Sequence, residues 1–263
     1  MVARARLLQA RVLPHGLLDA LRQVSLFAAA YIAYRLVRGL VEGDANAAFA
    51  HARDVISIES KLHLFVEPSV QAWASGSHFV MVSASWLYVN AQTTITLSAL
   101  LYLYLRQNRS FYFVRNMFMI AMAIALVGYI VFPTAPPRFM PEWGFIDSVS
   151  DFTGVHVSHA SATANALFNP YAAVPSMHVA FALMIGWPLA RLTKHRIVRV
   201  AWLLYPFLMA FVIVVTANHF IVDALLGALT AGASAYGARW LARVRPNVWR
   251  FSTVPSPQMR ASG

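Results

Sequence analysis

Cysteine is absent from the 263 residues of the chain, and acidic residues are scarce. Without cysteine, disulfides, thiolate nucleophiles and sulfur-ligated zinc are excluded. The chain has only 10 Asp and Glu residues against 21 Lys and Arg, and charged residues make up 12% of it. Hydrophobic residues make up 59%, and the mean hydropathy is +0.57. This composition is typical of a polytopic membrane protein rather than a soluble domain.

Long apolar runs predict the fold class. A helix needs about 20 apolar residues to cross a bilayer. Six stretches are read as such spans: 24–41, 79–105, 111–132, 176–192, 198–217 and 219–240. We therefore predict an all-α protein, an integral membrane six-helix bundle with short interfacial helices in its outer loops. The predicted catalytic domain is 24–245, between cytoplasmic tails at 1–23 and 246–263.

The distribution of basic residues predicts the topology. When the six spans are threaded in order, the loops 42–77 and 133–175 fall on one side and carry only Arg53, Lys61 and Arg138. The clusters of Arg and Lys fall on the other side. By the positive-inside rule both termini are cytoplasmic, and we expect a protein of the bacterial cytoplasmic membrane. The net charge of +11 is thus a topology signal, and nucleic acid is not an expected partner.

Asp223 is the only acidic residue after Asp151, and it lies in an apolar stretch suited to a membrane helix. A lone carboxylate there is costly unless it has a partner. His219 precedes it by four residues, so the two share a helix face. A carboxylate bound to one imidazole nitrogen fixes the tautomer and leaves the other nitrogen free to react.

The predicted topology brings further polar residues to the same outer face. The fourth and sixth spans both run inward from this face, so His178 and His219 begin there, and Arg138 follows the exit of the third span. Pro175 is favoured in the first turn of a helix, and the amides around Ser176 then form an end that attracts anions. Two histidines, an aspartate and an arginine are therefore expected together.

This set predicts phosphoryl transfer, in which anionic oxygens need positioned donors. His219 is the predicted nucleophile, Asp223 its partner, and His178 the general acid that protonates the departing alkoxide. Arg138, Ser176 and Asn218 are the predicted phosphate-binding residues. No metal and no cofactor is expected, because the positive charge comes from Arg138, the helix end and the histidines.

Two motifs carry a family resemblance. "PSMH" at 175–178 and "HFIVD" at 219–223, with Gly227, resemble the second and third signature motifs of the type 2 phosphatidic acid phosphatase superfamily. The resemblance implies a six-helix membrane core and gives His219, Asp223 and His178 the roles described above. "FPTAPPR" at 132–138 looks more like the branch of inositol phosphorylceramide synthases and their bacterial relatives.

The sequence also departs from the superfamily pattern. The usual first motif, a lysine ahead of Arg-Pro, is not present as such, and "PPR" ending in Arg138 stands in its place. The Ser-Arg pair ahead of the third-motif histidine is missing, with Ile213 at the arginine position. These departures bear on the preferred substrate more than on the reaction class.

The expected substrate is a lipid phosphoester handled at the extracytoplasmic face through a phosphohistidine. If the acceptor of the phosphate group is a lipid alcohol, the protein is an inositol-phosphate type phosphotransferase. If the acceptor is water, it is a lipid phosphate phosphatase. The sequence leaves both open. The alternative from another class is a non-catalytic lipid transporter or scramblase on the same core. Two further alternatives concern His178 and His219. They are either structural residues with hydrogen-bond partners inside the bundle, or axial ligands of a haem.

Several other polar residues are given less weight. Arg115 is expected to snorkel to the cytoplasmic surface rather than to bind phosphate. Asn90 and Gln92, in the middle of the second span, either line an interior cavity or form hydrogen bonds between helices. His156 and His159 are read as part of a solvated loop, and whether the loop 133–175 closes over the substrate is left open.

Overall fold

The structure is a computed structural model, and it describes residue 13 and residues 16–40, 44–153 and 169–245. Within these ranges the regular structure is helical, apart from one isolated bridge between Thr134 and Ala172. The all-α prediction is therefore confirmed. His156 and His159 lie outside the described residues.

Nine α-helices and two short 3-10 helices follow one another along the described chain. They are α1 Gly16–Leu40, α2 Ala45–Lys61, α3 Glu67–Ser75, α4 His78–Arg106, α5 Asn108–Val131, the 3-10 helices Pro137–Phe139 and Pro141–Trp143, α6 Ser148–Thr153, α7 Met177–Leu192, α8 Arg196–Val215 and α9 Ile221–Val244.

The apolar helices make this an integral membrane protein. Six helices, α1, α4, α5, α7, α8 and α9, overlap the six predicted spans. Among the described helices, four are long and apolar enough to cross a membrane by length and composition: α1, α5, α8 and α9. α7 is apolar but has only 16 residues, and α4 carries polar residues such as Asn90 in its middle turns. The six-span topology stays a prediction.

α7 lies at the centre of the bundle, packed against α8, α9 and α5. Its buried side chains form the main core together with those of α5, where Phe118 and Phe181 meet at a ring-centroid distance of 4.5 Å. α1 packs mainly against α5 and is the most exposed of the long helices. This arrangement leaves a cavity between α1 and α4.

A buried polar network anchors the first turns of α1 and corrects the expectation for Arg115. Asp19 is 1% exposed and accepts hydrogen bonds from the hydroxyls of Tyr104 (2.9 Å) and Tyr112 (3.3 Å) and from Gln23 (3.1 Å). Residues 16–23, predicted as part of a tail, are therefore helical and tied to the bundle. Arg115 is fully buried and donates to Gln23, so the expectation that it snorkels to the surface is wrong.

Candidate active site

The candidate site lies at the end of the bundle where α5 ends and where α7 and α9 begin. The segment after α5 is pinned to three other parts of the chain. The main-chain N–H of Thr134 donates to Tyr171 (2.8 Å), that of Ala135 to Ala48 in α2 (3.1 Å), and that of Arg138 to Ala217 just before α9 (2.8 Å). Main-chain bonds thus fix Arg138 beside the two helix starts.

His219 and Asp223 form the predicted pair. Asp223 Oδ2 lies 3.3 Å from His219 Nδ1 and also accepts the main-chain N–H of Phe220 at 3.0 Å. The carboxylate therefore caps the start of α9 and holds the imidazole at the same time. With the proton on Nδ1, Nε2 keeps a lone pair, which is the form a nucleophile requires.

His178 lies next to His219, as predicted. The two rings have centroids 5.7 Å apart and are tilted by 62°. On its other side His178 stacks on Tyr88 of α4, with ring centroids 4.4 Å apart and an interplanar angle of 22°. The stacking fixes the orientation of the second histidine, so both imidazoles border one space.

The Pro175–Ser176 turn that leads into α7 is held between glycines of two neighbouring helices. A methyl group at Gly128 would lie 2.8 Å from Pro175 Cδ, and one at Gly227 would overlap the carbonyl oxygen of Ser176. The N–H of Ser176 donates to the carbonyl of Asp223 at 3.1 Å. The peptide bond Val174–Pro175 is cis. These contacts couple the start of α7 to the start of α9.

Two predicted phosphate ligands, Ser176 and Asn218, are less available to a bound phosphate than the histidines are. Ser176 is fully buried behind the cavity wall formed by Met177 and His178. Asn218 borders the cavity, but its Nδ2 donates to the carbonyl (3.0 Å) and hydroxyl (2.9 Å) of Thr216. The amide donor of Asn218 is therefore engaged in the turn before His219, and its phosphate-binding role stays a prediction.

Arg35, Arg38 and Arg138 border the same cavity as the histidines, and the charges of Arg138 and Arg38 act on His219. Arg138 lies 3.9 Å from Asp147, which is partly exposed, so it already has a weak ionic partner. Arg38, in the last turn of α1, has its Cζ 5.3 Å from the centroid of the Tyr129 ring. Its Nε is buried and has no hydrogen-bond partner among the described residues. The nearby groups that act on its charge are phenols, those of Tyr34, Tyr129 and Tyr88.

The charges of Arg138 and Arg38 influence His219, the predicted nucleophile. Burial first, and then the charges of Arg138 and Arg38, lower the pKa of His219 to about 3, while the nearby carbonyl of Ala173 acts in the opposite direction. The imidazole is therefore neutral across the physiological range, as nucleophilic attack requires.

A long apolar cavity of about 1170 Å³ begins at His178 and His219 and continues between α1 and α4. Along α4 it extends from Tyr88 to Tyr104, a distance of about 24 Å at the rise of an α-helix. Its walls are mostly apolar, and the polar lining residues on α4 include Gln92, Thr93 and Thr96. This confirms the cavity-lining alternative for Gln92, whereas Asn90 donates to the carbonyl of Trp86 one turn earlier.

Sequence reasoning missed several polar residues near the site. Arg38 had a usable signal, because an arginine in the last turn of the first span lies at the same predicted face as Arg138. Tyr88 had none, since its contact with His178 depends on how α4 and α7 rotate against each other. The buried Glu59 and Glu67, in the amino-terminal third of the chain, hydrogen-bond to the first turn of α9.

Comparisons with known proteins agree with this geometry. A family model described as the PAP2 superfamily matches residues 53–237, which cover well over half of the chain and include both histidines and the aspartate. Neither the curated proteins nor the solved structures contain a significant match. The chain therefore belongs to the PAP2 superfamily, and this membership indicates phosphatase or phosphotransferase activity on phosphoesters.

Proposed function

We propose that the protein cleaves or transfers the phosphate head group of a lipid phosphoester through a phosphohistidine on His219. One observation carries the proposal: His178 and His219 have ring centroids 5.7 Å apart at the head of a long apolar cavity, and Asp223 holds Nδ1 of the nucleophile. The arrangement offers one histidine to attack and a second to handle the proton.

In the first half-reaction, His219 Nε2 attacks phosphorus and a P–N bond forms. The P–O bond to the lipid alkoxide breaks, and His178 gives its proton to that oxygen, so the lipid leaves as an alcohol. Asp223 accepts the hydrogen bond from Nδ1–H and stabilises the positive charge that develops on the imidazole.

In the second half-reaction, water or an alcohol attacks the phosphohistidine. His178, now neutral, takes the proton of the attacking hydroxyl, the P–N bond breaks, and the lone pair returns to His219. Both histidines thereby regain their starting protonation states. With a phosphomonoester donor, water as the acceptor gives inorganic phosphate and an alcohol gives a new phosphomonoester. With a phosphodiester donor the group on His219 keeps its head-group ester, so water gives a head-group phosphomonoester and an alcohol gives a new phosphodiester.

We assign phosphate binding to Arg138 and Arg38, the two of the three cavity-lining arginines whose charges act on His219. Arg138 is the predicted ligand, and Arg38 adds a second guanidinium that has no carboxylate partner among the described residues. A partly buried cation without a counter-ion favours an anionic ligand. Arg38 thus offers a substitute for the cations that the sequence lacks relative to the superfamily motifs.

The cavity supports a lipid as the substrate. A soluble phosphate ester needs only the polar head of the site, whereas an apolar channel of about 24 Å matches an extended hydrocarbon chain. The same length is comparable to the bilayer core of about 30 Å. We assign the head group to the arginines and one chain to the space between α1 and α4.

We favour a lipid phosphotransferase of the inositol-phosphate type, because "FPTAPPR" at 132–138 resembles that branch and places Arg138 next to His219. A lipid phosphate phosphatase is the second candidate, since the two differ only in the acceptor. In either case the positive-inside pattern puts the site at the extracytoplasmic face.

Product analysis in detergent micelles tests the proposal. Wild type and His219→Ala are compared on a panel of phospholipids and prenyl phosphates, with and without a lipid alcohol. We expect His219→Ala to lose at least about 10³-fold in rate, because no other group takes over the attack. Inorganic phosphate from a lipid phosphomonoester, or a head-group phosphomonoester from a phospholipid, establishes hydrolysis, and a new phosphoester formed only with the alcohol establishes a transferase.

His195→Gln serves as a control. His195 is exposed, immediately precedes α8, and does not border the cavity that contains His178 and His219. Equal product from wild type and His219→Ala would refute the phosphohistidine mechanism. Lipid movement between leaflets without any product would instead favour the transporter or scramblase.

A further inference from the structure

Two buried glutamates that the proposed mechanism does not use contact the backbone just after His219. Glu59 lies near the end of α2 and Glu67 is the first residue of α3; both are 0% exposed. They are separated from α9 by more than 150 residues of chain, yet both contact its first turn. Two buried carboxyl groups are costly, so the contacts they make require an explanation.

The contacts form a regular series along the backbone that follows His219. Asp223 Oδ2 accepts the N–H of Phe220 at 3.0 Å, Glu67 Oε1 that of Ile221 at 2.9 Å, and Glu59 Oε1 that of Val222 at 2.8 Å. Three successive main-chain donors at the start of α9 are thus each held by a different carboxyl group. These are among the donors that a helix cannot satisfy internally.

The second carboxyl oxygen of each glutamate lacks a main-chain donor. Glu59 Oε2 and Glu67 Oε2 are both buried, and as carboxylate oxygens neither has a donor among the described residues. A single proton held between them gives each a partner and removes the repulsion of two buried negative charges. Burial first, and then the hydrogen bond to Glu67, raise the pKa of Glu59 to about 9.

Few other charges act on the pair. The N–H of Val222 opposes the rise in the pKa of Glu59, while the charges of Glu67 and Asp223 add to it. The core cluster at this end of the bundle consists of apolar side chains, including Val55, Phe145 and Phe220. No described cation forms an ion pair with either glutamate.

We propose that Glu59 and Glu67 are positioning residues: as a pair that shares one proton, they fix the backbone on which His219 and Asp223 stand. The catalytic part of this inference rests on the function proposed above. The pair touches neither substrate nor the reacting atoms. It acts on the direction in which the nucleophile points, because His219 is followed at once by the three anchored N–H groups.

Glutamine provides a sharp test because it has the length of glutamate. In Glu59→Gln or Glu67→Gln, the side-chain oxygen still accepts the main-chain N–H, and the NH₂ group donates to the remaining carboxylate. Each single variant therefore imitates the protonated pair at every pH. In the double variant two NH₂ groups face each other, and one donor is left buried without a partner.

The first measurement is the apparent unfolding temperature in detergent between pH 5 and pH 10. The folded pKa of Glu59 is raised above its unfolded value, so the stabilisation is complete below the unfolded pKa and is lost as the pH rises through the folded pKa. We expect the unfolding temperature of the wild type to fall with increasing pH up to about 9. Each single Gln variant should have a flatter profile, and the double variant should be less stable than either.

Glu142→Gln is the matched control, because Glu142 is exposed and should keep the wild-type slope. Single Gln variants with the same slope as the wild type would overturn the shared proton. A double variant as stable as the single ones would do so too.

The second measurement is turnover of the substrate found in the product analysis. We expect the single Gln variants to keep their activity at pH 7 and to remain active above pH 9, where the wild type declines. The double variant should lose about 100-fold in kcat, the cost of a misplaced catalytic group, with little change in KM. Equal kcat in the double variant and the wild type would reduce the pair to a structural role. A wild type without any turnover would refute the proposed function, and the stability profiles would still decide whether the proton is shared.

Discussion

Gly227 of α9 lies directly against the main-chain carbonyl of Ser176, the residue that precedes α7. The contact is between two backbones, so neither side can yield as a flexible side chain would. The N–H of Ser176 donates in turn to the carbonyl of Asp223, one turn earlier on α9. The distance between the segments that carry His178 and His219 is therefore set by main-chain contacts.

Gly227→Ala should push α9 away from this turn. Its methyl group would overlap the Ser176 carbonyl, and we expect a loss of about 1–3 kcal/mol in stability, the usual cost of overpacking. Activity should fall as well, because His178 and His219 move apart. Thermal unfolding and turnover in the same detergent measure the two effects.

Gly232→Ala, on the same helix, is the matched control. A methyl group there meets no atom within 4 Å, so alanine should be neutral or stabilising by about 0.5–1 kcal/mol. Similar losses in both variants would mean that glycine matters for α9 itself and not for the contact with Ser176.

Replacing the proposed general acid should make the rate depend on the leaving group. We expect His178→Gln to slow the cleavage of alkyl phosphoesters by about 10²–10⁴-fold, the usual contribution of general acid catalysis. Aryl phosphates with acidic phenols should lose much less, because their leaving group departs without a proton. An equal loss on both substrate types would assign His178 to binding rather than to proton transfer.

Arg38→Gln should weaken phosphate binding and shift the pH profile. Loss of a charge-assisted hydrogen bond of about 1.5–3 kcal/mol would lower kcat/KM roughly 10- to 100-fold. The guanidinium also disfavours the imidazolium form of His219, so its removal should raise the pKa of His219 from about 3. The acid limb of kcat/KM should then move to higher pH.

The control for Arg38 is Arg106→Gln, at the exposed end of α4 away from the histidines. A wild-type KM and an unshifted acid limb in Arg38→Gln would show that Arg138 binds the phosphate without help from α1.

A large side chain in the cavity should discriminate between substrates by chain length. Thr93 borders the cavity on α4, and we expect Thr93→Trp to reduce turnover of long-chain lipid phosphates while short-chain phosphates are processed normally. Thr94→Trp, one residue further on an exposed face outside the cavity, should leave both rates unchanged. Loss of long-chain and short-chain turnover together in Thr93→Trp would argue against a chain in this space.

The sequence predicted which site residues lie close together when they are near in the chain or when the order of spans brings them to one face. His219 and Asp223 are four residues apart, so helix periodicity alone places them together. His178 and Arg138 follow from the order of spans, because each borders a predicted helix at the same face. The all-α class follows from the apolar runs in the same way.

Contacts between distant segments were beyond this reasoning. Glu59 and Glu67 reach α9 across more than 150 residues, and no periodicity indicates which side chains of α2 and α3 turn inward. Arg115 was misjudged for the same reason, since its partner Gln23 lies on another helix. The snorkelling rule considers one helix alone, whereas the side-chain amide of Gln23 on α1 gives the buried Arg115 a hydrogen-bond partner.

The open space between α1 and α4 has a kinetic consequence. If the substrate is a lipid, as we propose, it can enter this space sideways from the leaflet without passing through water. The protein then responds to the number of substrate molecules per area of membrane, and not to their amount per volume of solution. Dilution with inert lipid would slow the enzyme even when every substrate molecule remains in the tube.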